Sequence, residues 1–424
     1  MPLLRAAWCA AAAAATAAAL SLAVDEVHLF VDTEGLDAAG VVNASIALGT
    51  PLKDYSIAVT SEHPWEETLH FYTSAITVPA ALSPTGSGYF ALFYSCTYGN
   101  ASMNVCYANS TDGRAWSKPL FTMFPWRDGS PTNVVFAVNA SSPGSWPGSV
   151  LLDTAPGVPR GELFKLSYEG EAGNRTMYVA TSPDGVVWTR RSPEVPVIGV
   201  RLFSDTQTAI VWDAPRGVHA AFGRRDSDLG PNASVGCDGA SNSLRRVMLA
   251  TSATSATGGF GTPVQVLGPG APDAYSCLDV YNPAPIQVPG SRTMLLLPAS
   301  YRHLATSQAS QPYPPGYPAN GLTSNDGLLD VRLAASRDGQ RFDWVSHDAF
   351  LPRGTGYRQA LATGHAASGA FTALDSDLDA GFVFATAGRR RQRLRAVPDA
   401  PSLPDLFDRV PSGYRPIISR WKPS

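Results

Sequence analysis

The groups in this chain that could do covalent chemistry are carboxylates placed where β-strands are expected to begin. Glu66, with Glu67 beside it, Asp205 and Asp279 each open a run of strand-forming residues, and Asp326 with Asp330 leads into another. Two carboxyl groups facing one bond can work as a pair, one protonated to assist a leaving group and one ionised as base or nucleophile. Mutual repulsion and partial burial push their pKa values apart, which this division of labour requires. Asp205 is the strongest of the set, because Ser204-Asp205-Thr206-Gln207 puts polar groups at the head of the apolar run Ala209–Trp212. Asp279 is second. An acid at a strand start also serves as a turn cap or a solvated rim residue, and that reading weighs most on Glu66 and Asp326. Other chemistries lack their residues: there is no Gly-x-Ser-x-Gly elbow, phosphate loop or dinucleotide fingerprint. His303 and His365 have no ligand partner at metal spacing, so neither a metal nor a cofactor is expected.

Such acids act together only if distant strands converge, and a recurring hairpin supplies the means. Tyr107–Trp116, Val179–Trp188 and Leu333–Phe342 each carry a strand-like run, then Ser-x-Asp-Gly, then two residues and a large aromatic. Asp-Gly tolerates the positive φ of a tight turn, and the aromatic can fold back between neighbouring strands. Asp112, Asp184 and Asp338 are therefore structural. A degraded copy, Val247–Ser252, leads into Gly258-Gly259-Phe260. Asp112 and Asp184 lie 72 residues apart, and Asp184 and Asp338 lie 154 apart with the degraded copy between them. A unit of roughly 75 residues exceeds the usual repeat length of about 20–50 and has room for four strands and their loops.

Composition agrees. The chain has 424 residues, 44% hydrophobic and 16% charged, with 38 Gly and 35 Pro, which suits many short strands and argues against disorder and coiled coil. A net charge of −3 gives no reason to expect nucleic acid or an anionic membrane as partner. Residues 1–23 read as a secretory signal, with Arg5, the apolar run Ala6–Leu22 and cleavage after Ala23. An uncleaved anchor is the alternative; no other segment is long and apolar enough to span a membrane. Sequons begin at Asn43, Asn100, Asn109, Asn139, Asn174 and Asn232. With Cys9 in the signal, Cys96, Cys106, Cys237 and Cys277 remain. Of three pairings, Cys96–Cys106 with Cys237–Cys277 is the expected one, in a secreted or endomembrane-lumen protein.

In order, 24–64 is an entry segment with strands near His28–Val31 and Ser56–Val59, and the repeating body starts at Glu67. Unit one closes with Trp116–Thr122. Unit two opens at Thr132–Val138, unit three at Thr208–Trp212, unit four at Ala284–Val288 with a long insertion at 302–324, and a weaker unit five spans 360–386. Together 24–397 predicts an all-β, single-domain, five-bladed β-propeller. A β-sandwich pair or a longer-bladed propeller is the alternative. The Pro-rich stretch 398–424 is expected to wrap the surface.

These residues resemble a family. Strand, Tyr-Ala-x-Ser/Thr-x-Asp-Gly-x-x-Trp, strand is similar to the blade motif of the five-bladed propeller glycosidases, glycoside hydrolase families 32, 43 and 68, and more closely resembles that of an uncharacterised bacterial and algal branch with a family 32 N-terminal-like domain. The matching pieces are His63-Pro64-Trp65-Glu66, Asn133-Val134-Val135-Phe136 as the opening of blade two, Ser204-Asp205-Thr206-Gln207 with Val211-Trp212-Asp213, Asp279-Val280-Tyr281-Asn282, and Asn325–Asp330, over roughly residues 55–365. A similar turn occurs in sialidases. The resemblance implies a carbohydrate partner, with paired carboxylates among Asp205, Asp279, Glu66 and Asp326 in a central funnel. It also implies Trp65 and Tyr281 stacking on sugar rings, with Asn133, Gln207 and His365 bonding hydroxyls. The Asn-Asp-Pro, Arg-Asp-Pro and Glu-Cys signatures of the fructan-cleaving relatives are absent, Trp126-Arg127-Asp128-Gly129 being the nearest to the second. Cleavage of sucrose or fructan is therefore not carried over. Two readings stand: a glycosidase working through paired carboxylates, and a carbohydrate-binding or cell-surface propeller without catalysis.

Overall fold

Short apolar runs punctuated by Gly, Pro and Asp-Gly fold here into antiparallel strands. The computed structural model describes residues 29, 31–32, 52–57, 59–70, 74–98, 103–137, 146–170, 176–191, 195–199, 208–228, 243–268, 278–288, 290–303, 327–351, 371–373, 381–387 and 415–421. Among these there is no α-helix, only single 3₁₀ turns at Pro64–Glu66, Ala80–Leu82 and Arg160–Glu162. No helix among them is long and apolar enough to cross a membrane. The expected signal, Cys237 and Cys277 lie outside the described residues.

Strand β1 (Leu52–Ile57) finds its partners at the other end of the chain. In the first local sheet, β2 (Thr68–His70) and β3 (Ala75–Val78) both pair with β4 (Tyr89–Thr97), which pairs with β5 (Asn104–Ser110), which pairs with β6 (Val134–Ala137). The run 133–136 therefore does not open a second unit; β6 is the outer strand of the first. The stretch expected to be that outer strand, 116–122, makes only the single bridges Asn109–Ser117 and Phe121–Thr132. The second sheet runs β7 (Pro147–Leu152), β8 (Phe164–Glu169), β9 (Met177–Ser182), β10 (Thr189–Arg190). The third runs β11 (Ala209–Asp213), β12 (Val218–Asp228), β13 (Ser243–Ser252), β14 (Val264–Leu267).

The next seven strands are β15 (Leu278–Tyr281), β16 (Pro285–Gln287), β17 (Met294–Leu296), β18 (Ala299–His303), β19 (Gly327–Val331), β20 (Ala334–Ser336) and β21 (Asp343–Trp344). They form two ladders, β15–β18–β19 and β16–β17–β20–β21. These are halves of one bent sheet. Asn282 (φ 54°) and Ala284 (φ 40°) turn the first strand, and Pro298, which has no N–H for the ladder, interrupts the second. Leu297 N–H to Ala284 O (3.2 Å) and Arg332 N–H to Pro298 O (3.0 Å) carry the pairing across the break. The last sheet orders β22 (Phe371–Ala373), β23 (Gly381–Ala387), β24 (Arg415–Trp421) and β1. The Pro-rich end of the chain, expected to wrap the surface, thus supplies a strand between β23 and β1.

The three intact turns share the hydrogen bonds that their Asp accepts, and the first two also share those of the Ser. Ser110 Oγ accepts from Gly113 N–H (2.9 Å), and Asp112 Oδ1 accepts from the N–H groups of Arg114 and Ala115 (2.8 Å each). Asp184 and Asp338 do the same two and three residues ahead. Gly113, Gly185 and Gly339 have φ of 69°, 76° and 64°, which is why Gly follows the Asp. In the degraded copy Ser252 Oγ still accepts from the N–H groups of Thr254 and Ser255. The disulfide Cys96–Cys106 ties β4 to β5.

Strands alternate faces, and each face builds a separate core. Phe93 and Tyr107 meet Phe164, Leu166 and Tyr168 of the second sheet, while Leu92 and Tyr94 point the other way with Trp65. Ile210, Ala221 and Met248 meet Met177 and Val179. Phe222 and Leu249 meet Val280, Leu296 and Phe342 of the bent sheet. The first strands of the sheets lie side by side: β3 against β7, β7 against β11, β11 against β16, and β22 against β3. Their backbones nearly touch. Ser149 N–H donates to Thr208 O (2.9 Å), Val150 N–H to Ser74 Oγ (3.0 Å), and Ser167 Oγ to Thr208 O (2.6 Å). A Cβ on Gly148 would meet Ser167 Oγ and lie 2.5 Å from Thr208 O.

Past the end of β7, Asp153 joins the second and third sheets. Both its oxygens meet His219 Nε2 (3.0 and 3.1 Å), and Lys165 Nζ lies 3.4 Å away. Burial pushes this carboxyl up, but the His219 hydrogen bond and charge, the Ala155 amide and Lys165 outweigh it and hold the group below its ordinary value. A depressed native pKa stabilises fully above the unfolded value of about 3.9 and stops doing so as pH falls through the native one. We predict that Asp153→Asn lowers the thermal midpoint at pH 6 and that its gap to wild type narrows steadily towards pH 3; a gap independent of pH would refute the assignment. Gly148→Ala should cost about 1–3 kcal/mol in urea unfolding through overpacking. A neutral result would mean that the first strands do not need this approach.

Candidate functional site

Several of the candidate residues that are described lie near strand starts. Glu66 and Glu67 precede β2, Thr208 precedes β11, and Asp279 sits near the start of β15, its backbone opposite Tyr301. Asp205, Gln207, Asp326 and His365 lie outside the described residues. Three other predicted residues come together. The 3₁₀ turn Pro64–Glu66 carries Trp65 over the first sheet, where its Nε1 donates to Asn133 Oδ1 (2.7 Å), 68 residues away in sequence. Asn133 Nδ2 donates to Tyr94 Oη (2.6 Å) and Tyr107 O (3.0 Å), and lies 3.5 Å from Glu66 Oε1. Tyr281 stands apart from this group, its ring 4.3 Å from the Arg224 guanidinium of the third sheet.

Glu66 is 0% exposed and fully bonded. Its Oε1 accepts from Tyr94 Oη (2.6 Å), and its Oε2 from Glu62 N–H (3.0 Å), His63 N–H (3.3 Å) and Lys118 Nζ (2.8 Å). Lys118 also donates to Thr60 O (2.5 Å). Burial first, then the Glu66 charge, raises the Tyr94 hydroxyl well above its ordinary range, so it remains a neutral donor. Sequence placed Glu66 among the acid–base candidates and Asn133 among groups that bond sugar hydroxyls. In this geometry both spend their polar atoms on protein partners and hold the wall of the site.

What that wall presents outward is aromatic. His63 stacks on Trp65 (4.5 Å, 13°), Trp65 meets Trp126 (5.8 Å), and Trp126 meets Tyr98 edge to face (5.1 Å). Trp65 is 7% exposed, whereas Tyr98 is 37% exposed and Trp126 and His63 are half-buried. Arg127 lies 4.4 Å from the Tyr98 ring and 5.3 Å from that of Trp126. Sequence reading missed Tyr94, Tyr98 and Lys118, whose positions follow no local spacing. It noted Trp126-Arg127-Asp128 only for its likeness to the Arg-Asp-Pro signature. Asp128 instead closes a turn, bonded to Ser130 N–H (3.0 Å) and Oγ (2.6 Å), and those bonds hold its carboxyl below the ordinary value. Glu169, buried at the end of β8 beside Trp146, is a further acid that was not singled out.

Compared with known proteins, the chain matches no family model and no curated protein. Solved structures do match. A complex of BT0996 with RGII aligns at TM-score 0.51 and 11% identity over 89% of this chain and 93% of that protein. An N-acetylgalactosamine deacetylase from F. plautii, in complex with blood group B trisaccharide, aligns at 0.51 and 14% over 88% and 95%. A fructofuranosidase from Schwanniomyces occidentalis complexed with fructosylnystose reaches 0.48 at 12%, over 89% of this chain and 60% of that one, too loose to argue from. What the chain shares with the first two is the fold.

Removing one partner of a buried ion pair leaves the other charge uncompensated, at about 3–5 kcal/mol. Glu66→Gln should therefore destabilise the full chain by that order in denaturant unfolding, with Tyr94→Phe costing about 1–3 kcal/mol. A Glu66→Gln loss below about 1 kcal/mol would show that the network does not hold the wall.

Proposed function

We propose that the chain is a secreted, five-bladed β-propeller of the glycoside hydrolase type, with residues 24–397 as one domain. It acts on a carbohydrate at the end of the ring where the first strands begin. The observation that carries this is the lateral contact of β3, β7, β11 and β16, with β22 returning to β3. In such a ring the start of β11 faces the axis, and β15, which leads across the bend into β16, packs on β13 of the third sheet; the acids are assigned from their sequence positions at these two strand starts. Asp205 and Asp279 are then the acid–base pair, with Asp326 as a further carboxylate and Gln207 and His365 as hydroxyl partners. Propeller-type neighbours at TM-score 0.51 support the fold, and the reaction is argued from the acids. That one neighbour is a deacetylase leaves the bond to be cleaved open. The Cys96–Cys106 bridge supports an oxidising compartment, in line with the signal-like leader and the sequons.

A second reading, a carbohydrate-binding propeller without catalysis, is favoured by one observation. Glu66, a predicted acid, is locked to Lys118 and Tyr94.

The test is a hydrolysis screen of the full chain on aryl glycosides and polysaccharides, run alongside Asp205→Asn and Asp279→Asn. Loss of an acid–base group should lower turnover about 10²–10⁴-fold with the thermal midpoint unchanged. Activity surviving both substitutions would discard this pair. Glycan binding without turnover in wild type would establish the second reading instead.

A further inference from the structure

We propose that Tyr98, Trp126 and Arg127 form a binding platform for an acidic sugar residue, carboxylated or sulfated. The inference rests on the reading of the chain as a glycan-acting propeller and names the class of its ligand. Sugar rings present C–H faces that stack on aromatic side chains while their hydroxyls remain in water. Here the two rings meet edge to face at 5.1 Å, and Tyr98 is 37% exposed. The platform is built in advance. Trp126 packs on Trp65, which Asn133 fixes by a hydrogen bond, and a turn closed by Trp126 N–H to Ser130 O and Gly129 N–H to Trp126 O (2.8 Å each) holds its backbone. Little conformational freedom is left to lose on binding.

The charge preference comes from Arg127. Its guanidinium is exposed and lies against both rings, yet among the described residues it has no ion pair. Neither acid close to it in the sequence or in the aromatic array neutralises it. Asp128 turns back onto Ser130, and Glu62 bonds Thr60 Oγ1 and faces Lys118 at 3.6 Å. A planar guanidinium held by stacking keeps its edge N–H donors for a carboxylate or sulfate, which it meets in fork geometry.

The experiment measures equilibrium binding to the full chain of a galacturonate pentasaccharide and its methyl ester, and of a carrageenan oligosaccharide and its desulfated form. Wild type, Arg127→Gln and Trp126→Ala are compared at two salt concentrations, with thermal midpoints as the check on folding. Wild type should favour one acidic probe over its neutral counterpart by about tenfold or more. Arg127→Gln should abolish that preference and its salt dependence while neutral-probe affinity stays within twofold. Trp126→Ala should weaken acidic and neutral probes alike. Which acidic probe shows the preference identifies carboxylate or sulfate as the group. Equal binding of acidic and neutral probes by wild type, or a preference that survives Arg127→Gln, would overturn this inference and leave the glycan reading standing. Wild type that binds none of these probes and cleaves none of the screened glycans would overturn both.

Discussion

The fold depends on how closely neighbouring first strands approach one another. Where β7 meets β3 and β11, backbone N–H groups of one sheet reach acceptors of the next, Ser74 Oγ and Thr208 O, across a gap that excludes even a Cβ at Gly148. Large apolar side chains there would force the strands apart and strand these N–H groups in a dry interior. Small residues and hydroxyls both permit the approach and satisfy it. Radial sheets that touch at the centre diverge outward, so the space between them must be filled by progressively larger groups. Phe93, Phe136, Tyr168 and Trp188 do this between the first and second sheets. The aromatic that follows each Asp-Gly turn belongs to the same filling: Trp188 packs edge to face on Phe93 and donates to Gly185 O (3.0 Å), tying the turn to the wedge.

Carboxylates in this chain divide by what surrounds them. Asp112, Asp184 and Asp338 accept backbone N–H groups and shape turns. Glu66 and Asp153 are buried and each faces a lysine. A buried carboxylate is tolerable only with such compensation, so these two mark places where the chain is pinned together, one within the first sheet and one between the second and third. Glu66 precedes β2 and Asp153 lies past the end of β7. The proposed chemistry is accordingly given to acids of other strand starts, since Glu66 is committed to Lys118 and Tyr94.

Legibility followed range. The Ser-x-Asp-Gly turns were readable because the bonds of their Ser and Asp side chains close within three residues, and the Cys96–Cys106 pair because only ten residues separate the two across adjacent strands. Membership of a sheet is not local. Residues 116–122 and 133–136 both look like an outer strand, and only pairing with β5 decides that the second is one, which moves the start of the next sheet to Pro147. The bend at Asn282 and Pro298, and the pairing of 415–421 with strands from both ends of the chain, leave no periodic trace either. Among the candidate residues, Trp65, Glu66 and Asn133 come together in one buried hydrogen-bonded group. Their bonds to one another join positions 68 apart, so sequence could not show that they face inward.

The aromatic rim and the buried network beneath it are mechanically one unit. Trp126 rests on Trp65, Trp65 on Asn133, Asn133 on Tyr94, and Tyr94 on the carboxylate that Lys118 compensates. Each link has few rotatable bonds, so disturbing the ion pair at the bottom is transmitted to ring positions at the top without any contact to a ligand. Recognition at such a rim gains affinity from order already present in the free protein. A surface lysine in place of Arg127 would keep the charge but lose the flat stacking that fixes its direction. The stacked guanidinium needs no carboxylate of its own to hold it in place, and this lets a cation stand exposed and still be directional. Building directionality from ring faces rather than from an ion pair leaves the charge open to an incoming anion, which links the buried Glu66–Lys118 pair to what the surface can select.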